Sequence, residues 1–238
     1  MKDVAARWRT IIVEGSAVLI AILLAFAIDA MWEEHQEKER VRGYLSSLEL
    51  ELVTNRELLL EHLKRLRRNQ EETDAYIVTV ATESPDLVSP EAVRKMVWEM
   101  GPASMRAIPL QRAALEDLTS GELQSVPDAR VRRLILAYSR GLDFDGLRQR
   151  GNEDWFASRA NPYNEIYADL VGMRSEYSDV WTVDDDVLFE FDTAAFIGNR
   201  RYGNLLASRA FQLQTVIRAR EQLLADLEEL LSALKGPG

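Results

Sequence analysis

The chain has no cysteine and only two histidines among its 238 residues. The first absence excludes disulfides, thiolate metal sites and a cysteine nucleophile, and the second leaves no imidazole cluster to hold a metal. Glycine is sparse as well, at twelve residues, and no glycine pattern forms a phosphate loop or a nucleophile elbow. No catalytic residue, cofactor-binding residue or metal ligand is therefore assigned, no cofactor is expected, and the chain is not expected to be an enzyme. Positive charge is also short, with 29 Lys and Arg against 39 Asp and Glu and a net charge of -10. That balance excludes a nucleic-acid partner, which needs a basic surface to displace counterions from phosphates. The basic run Lys64, Arg65, Arg67 and Arg68 is matched by Glu57, Glu61, Glu71 and Glu72 and reads as a solvated helix face.

One long apolar run is present, from Thr10 to Trp32. As a helix it is roughly 33 Å long, enough for the hydrocarbon core of a bilayer, so it is read as a transmembrane anchor. Trp8 and Trp32 flank it as interface anchors, and Arg7 and Arg9 stand where headgroups are expected. Glu14, Ala17, Ala21, Ala25 and Asp29 recur at steps of three and four and share one face, small in the middle and acidic at both ends. Such a face suits close approach of a second transmembrane helix; snorkelling acids among common alanines are the plainer explanation. A cleaved signal peptide ending at Ala25-Phe26-Ala27 is the rival, disfavoured by the length of the run and by Glu14. Lys2, Arg7 and Arg9 crowd the first flank, which puts the N-terminus in the cytoplasm and the bulk in the periplasm of a bacterial inner-membrane protein.

After the anchor, residues 33–82 contain no proline and one glycine, Gly43, which predicts one long stalk helix. Val41, Leu45, Leu48, Leu52, Asn55, Leu59, His62, Leu66, Asn69, Thr73, Tyr76 and Val80 alternate steps of three and four, a coiled-coil seam. Asn55, His62 and Asn69 are its polar members, placed where a polar residue fixes register. Residues 83–198 read as a helical and irregular distal region. Short helices are expected from Pro90 to Met100, from Pro109 to Ser120, and beyond Asp128 through Val131, Leu134, Ile135, Tyr138 and Leu142. The aromatic stretch from Trp155 to Trp181 is read as core packing with a kink at Pro162. Asp184-Asp185-Asp186 lacks the glycine turn and terminal Glu of a calcium loop and reads as a helix cap, and residues 187–191 alternate briefly as a strand does.

Residues 199–238 hold a second long helix, in which Leu206, Ala210, Leu213, Ile217, Arg220, Leu224, Leu227, Leu231 and Leu234 repeat the three-four rhythm. The expected fold is thus all-α. A transmembrane helix over residues 1–32 continues into the stalk, short helices cap it, and the C-terminal helix packs back antiparallel on the stalk.

The run Leu118-Thr-Ser-Gly-Glu-Leu, the following Val126-Pro-Asp and the closing Leu136-Ala-Tyr, together with Glu14, Asp29, Trp32, Glu33 and Glu34, resemble bacterial single-pass membrane proteins catalogued as a domain of unknown function. The resemblance implies a single-pass anchor and a helical body, and no activity. The expected function is that of a membrane-anchored helical interaction or scaffold protein, partnered by the bilayer and by a second copy or another membrane protein. The alternative is a periplasmic small-molecule sensor that acts through a separate partner.

Overall fold

The computed structural model describes residues 2–82, 89, 108–160, 162 and 198–236, and within the first helix it describes side chains at Leu19 and from Ile22 onward. Helix α1, Lys2–Thr82, is 81 residues without a break, about 120 Å at 1.5 Å per residue. Its seam residues Leu48, Leu52, Leu59 and Leu66 are fully buried and Val41 nearly so, as is Leu63 beside the seam.

The chain resumes at Ile108 and runs beside α1 in the opposite sense. Gln111 lies at Asn55, Ala114 at Glu51, Glu122 at Arg40 and Ser125 at Glu37. Helix α2, Ala113–Asp117, is short and passes into a π turn, Leu118–Glu122, and a 3-10 turn, Leu123–Ser125. The sequence places a helix start at Pro109, four residues earlier. Asn55 explains the delay, because it donates to the Gln111 carbonyl and accepts from the Gln111 N–H, both at 2.8 Å, and so takes up the groups a helix would use. Nor does Gly121 stop the helix, since the π turn carries the chain through it.

Pro127 then turns the chain. Asp128 caps α3, Ala129–Trp155, by accepting from the N–H groups of Arg130 and Val131, leaving a first-turn donor satisfied that would otherwise be orphaned. Helix α4, Arg200–Leu234, is capped by Asn199 and ends as Gly236 enters the left-handed region at φ 74°, where a Cβ would be strained. Its pairs Arg67 with Glu221 and Arg56 with Glu228 set it antiparallel to α1. Arg130 with Glu229 and Arg220 with Asp145 set it antiparallel to α3. The four segments therefore alternate up and down along one half of α1, the arrangement that short connections and amphipathic faces favour.

The core is one cluster built from Leu48, Leu52 and Leu59 of α1, Leu115 and Leu118, Ile135 and Tyr138 of α3, and Leu223, Leu227 and Leu230 of α4. A second holds Leu63 and Leu66 against Leu213, Val216 and Ile217. Gly141 lets α3 close on α4, since a Cβ there would lie 2.9 Å from Leu223 Cδ1.

The transmembrane reading is corrected. Among the described residues no helix is long and apolar enough to cross a membrane. The apolar run carries Asp29 near its end and gives way to Glu33, Glu34 and Glu37. The fold class loses its transmembrane element. With it go the single-pass inner-membrane localisation, the cytoplasmic N-terminus and periplasmic bulk, the bilayer as partner, and the association with a second copy or another membrane protein through the anchor. A membrane-anchored scaffold and a periplasmic sensor both rested on that placement and are withdrawn.

Candidate functional site

Two layers of buried polar side chains interrupt the leucines of the bundle. The lower is built on successive turns of α1. Asn55, fully buried, clasps the backbone of Gln111 and also donates to the Tyr138 hydroxyl at 3.2 Å. One turn earlier Glu51 accepts the Ala114 N–H at 2.8 Å, at the start of α2. Burial pushes the Glu51 carboxyl above the usual range and the Tyr138 hydroxyl up to about 12, because neither charged form is solvated there. The layer spends its donors and acceptors on holding a segment of backbone. As chemistry, it is a clamp.

The upper layer joins three helices. Arg220 of α4, 1% exposed, donates from Nε and Nη2 to the two carboxylate oxygens of Asp145 on α3, each at 3.2 Å. His62 of α1 is 2% exposed, and its Nδ1 lies 2.7 Å from Arg65 Nη2. A guanidinium only donates, so Nδ1 accepts and Nε2 carries the ring proton. Burial first, then the charges of Arg220 and Arg65, draw the His62 pKa down to about 3, so the ring is neutral at physiological pH. Higher on α4, burial alone lowers Arg209 to about 10. Among the described residues no group of three His, Asp or Glu is placed to hold a metal ion.

The third feature is the uncovered end of α1. Leu19, Ile22, Leu23 and Phe26 lie on one side of the helix and Leu24, Ile28, Met31 and Trp32 on the other, all at 48 to 70% exposure. Of the residues assigned to helix association, Ala25 and Asp29 are exposed on this stretch, while the side chains of Glu14, Ala17 and Ala21, and of Trp8, lie outside the described residues. Trp32 is exposed beside His35. Of the three register residues, Asn55 and His62 are buried in separate layers; Asn69 is half-buried and its carbonyl accepts from Thr73 Oγ1 at 2.7 Å. The helix expected from Pro90, most of the aromatic stretch, the aspartate run and the brief alternation at 187–191 also lie outside the described residues.

Sequence reasoning missed Glu51 and Asp145 as members of these layers. Arg220 sat on the α4 seam, and a charged residue at a seam position was the available signal for a buried partner. For Asp145 nothing in the linear pattern separates it from its exposed neighbour Asp143. Comparison of the chain with protein-family models, with curated proteins and with solved structures finds no match, which withdraws the resemblance to single-pass proteins of unknown function.

Proposed function

We propose that this chain is a non-catalytic helical binding protein that takes a helical hairpin of another polypeptide on the uncovered stretch of α1. The observation that carries the reading is the exposure of eight large apolar side chains between Leu19 and Trp32. Isolated exposed leucines need no explanation, but a helix apolar on two opposite sides is a helix that expects a neighbour on each. One partner helix covers one side; two joined helices cover both. Charge sets the rest of the chemistry. Glu33, Glu34, Glu37 and Glu39 follow the apolar residues; Lys38 pairs with Glu34 and Arg42 with Glu39, which leaves Glu33 and Glu37 without a cation among the described residues, so the fitting hairpin is basic where it meets this collar. A second copy would bring an acidic collar of its own. The non-catalytic part is supported by the two polar layers, whose members bond backbone and one another in the interior of the bundle.

Photocrosslinkers at Phe26 and at Met31, on opposite sides of the helix, test this in the intact cell. The expected result is two crosslinked peptides from one other polypeptide, each with an apolar helical pattern. Crosslinks to lipid, crosslinks confined to copies of this chain, or none at either position contradict the reading.

A further inference from the structure

A groove of about 440 Å³ runs between α3 and α4 on the outside of the bundle. Its α3 wall carries Gly141, Phe144 and Arg148, and its α4 wall carries Thr215, Arg218 and Asp226. On the α1 side of α4 the arginines are cancelled by glutamates, Arg56 by Glu228 and Arg67 by Glu221. On the α3 side they are not. Neither Arg148 nor Arg218 meets a carboxylate among the described residues, and the same holds for Arg140, exposed one turn before Phe144. Asp145 also lines the groove but is spent on Arg220, at 3.2 Å. Asp226 is the carboxylate that remains, at the Gly141 end, where it accepts from Gln222 at 2.8 Å. Three guanidinium groups therefore stand against one open carboxylate, on a chain whose net charge is -10.

Arg148 is the fixed member of the three. Its guanidinium lies over the Phe144 ring, 4.5 Å from the centroid, and donates to the Thr215 carbonyl at 3.3 Å. It is thus held in place before any partner arrives, which lowers the entropy lost on binding. Large apolar side chains flank it. Phe144 and Leu147 are each more than half exposed, and Phe211 stands one turn from Thr215 on the same face of α4, also exposed. Aromatic rings and arginines gathered on one surface are the composition of a protein-binding hot spot.

We propose that the groove between α3 and α4 docks an acidic amphipathic helix of a second polypeptide, with a carboxylate of that helix between Arg148 and Arg218. The trough between two packed helices has the shape to take a third. Phe144 and Leu147 receive its apolar side chains, which a nucleic-acid backbone does not have, and the net charge of the chain repels a polyanion. Asp226 sets the direction, because the partner must bring its acid to the Arg148 end and a hydrogen-bond donor to the other. The surface is separate from the uncovered stretch of α1, so the chain joins two partners of opposite charge.

A photocrosslinker at Leu147 in the full chain, in the intact cell, tests the site. The expected product is a peptide of another polypeptide in which acidic residues alternate with an apolar helical pattern. Arg218→Glu changes an exposed side chain with no partner to lose, so the fold is kept, and it should cut the yield about tenfold or more. Arg68→Glu makes the same charge change on α1, away from the groove, and should leave the yield as it was. A synthetic copy of the crosslinked peptide should then bind the purified chain saturably, and its glutamine analogue about tenfold more weakly. No crosslink at Leu147, crosslinks to lipid, to nucleic acid or only to copies of this chain, a crosslinked peptide without acids, or equal losses in the two variants overturn the site.

Discussion

Phe26 and Leu52 stand on the same unbroken helix, yet Phe26 is 67% exposed and Leu52 is fully buried. Hydrophobicity does not separate these two stretches of α1; what lies alongside does. From Val41 upward the side chains repeat at three and four residues on one face, and that face meets α2, α3 and α4. From Leu19 to Trp32 they line two opposite sides of the helix, and no described segment covers them. A single stripe is a surface that one bundle can close, whereas a helix apolar on two opposite sides keeps one side open when the bundle ends.

The contrast is sharpest in stability. Leu52→Ala is expected to lower the unfolding free energy by about 2–5 kcal/mol in urea titration, while Leu23→Ala changes it by less than about 0.5 kcal/mol. Comparable losses at the two positions would mean that the uncovered stretch packs on something. Asn55→Leu should cost about 2–4 kcal/mol, because it strands the Gln111 N–H and carbonyl and takes a donor from Tyr138. The same change also delivers α2 from its clamp, and faster amide exchange across Gln111–Leu118 is the accompanying sign.

Next in size is a dependence on pH. His62 has an ordinary pKa of 6.5 and a folded value of about 3, so between these the unfolded chain binds a proton that the folded chain refuses. The contribution to stability is complete above pH 6.5 and is lost as the pH falls, by roughly 2 kcal/mol at pH 5. His62→Leu should flatten that part of the profile, and an unchanged slope would show the ring to be protonated in the folded protein. The smallest effect is a gain. Gly43 lies within α1, exposed, with nothing within 4 Å of where a Cβ would stand, so Gly43→Ala should stabilise by up to about 1 kcal/mol.

Much of the packing was legible because its cause is periodic. Every α1 seam position from Val41 to Val80 is buried or half-buried, and so is every α4 seam position from Leu206 to Leu234. The breaks and caps at Asp128 and Asn199 announce themselves by residue type. What was illegible depends on contacts between residues far apart in the chain. Nothing near Gln111 tells of the clasp from Asn55, fifty-six positions away, that delays α2. The π turn over Leu118–Glu122 puts the Leu-Thr-Ser-Gly-Glu-Leu run, which suggested a resemblance, into a local backbone role, with Thr119 and Ser120 bonding carbonyls of the preceding turn. The transmembrane reading weighed the apolar count of Thr10 to Trp32 above the acids at Asp29, Glu33 and Glu34; among the described residues no helix is long and apolar enough to cross a membrane.

Hydrogen exchange along α1 in the isolated chain bears most directly on the division of that helix. Amides from Ile22 to Glu37 should exchange within the time of an unsupported helix, and those from Leu45 to Leu66 should approach the protection of global unfolding, with the change falling near Val41. Uniform protection on both sides of Val41 would contradict the division into an uncovered and a sheathed stretch.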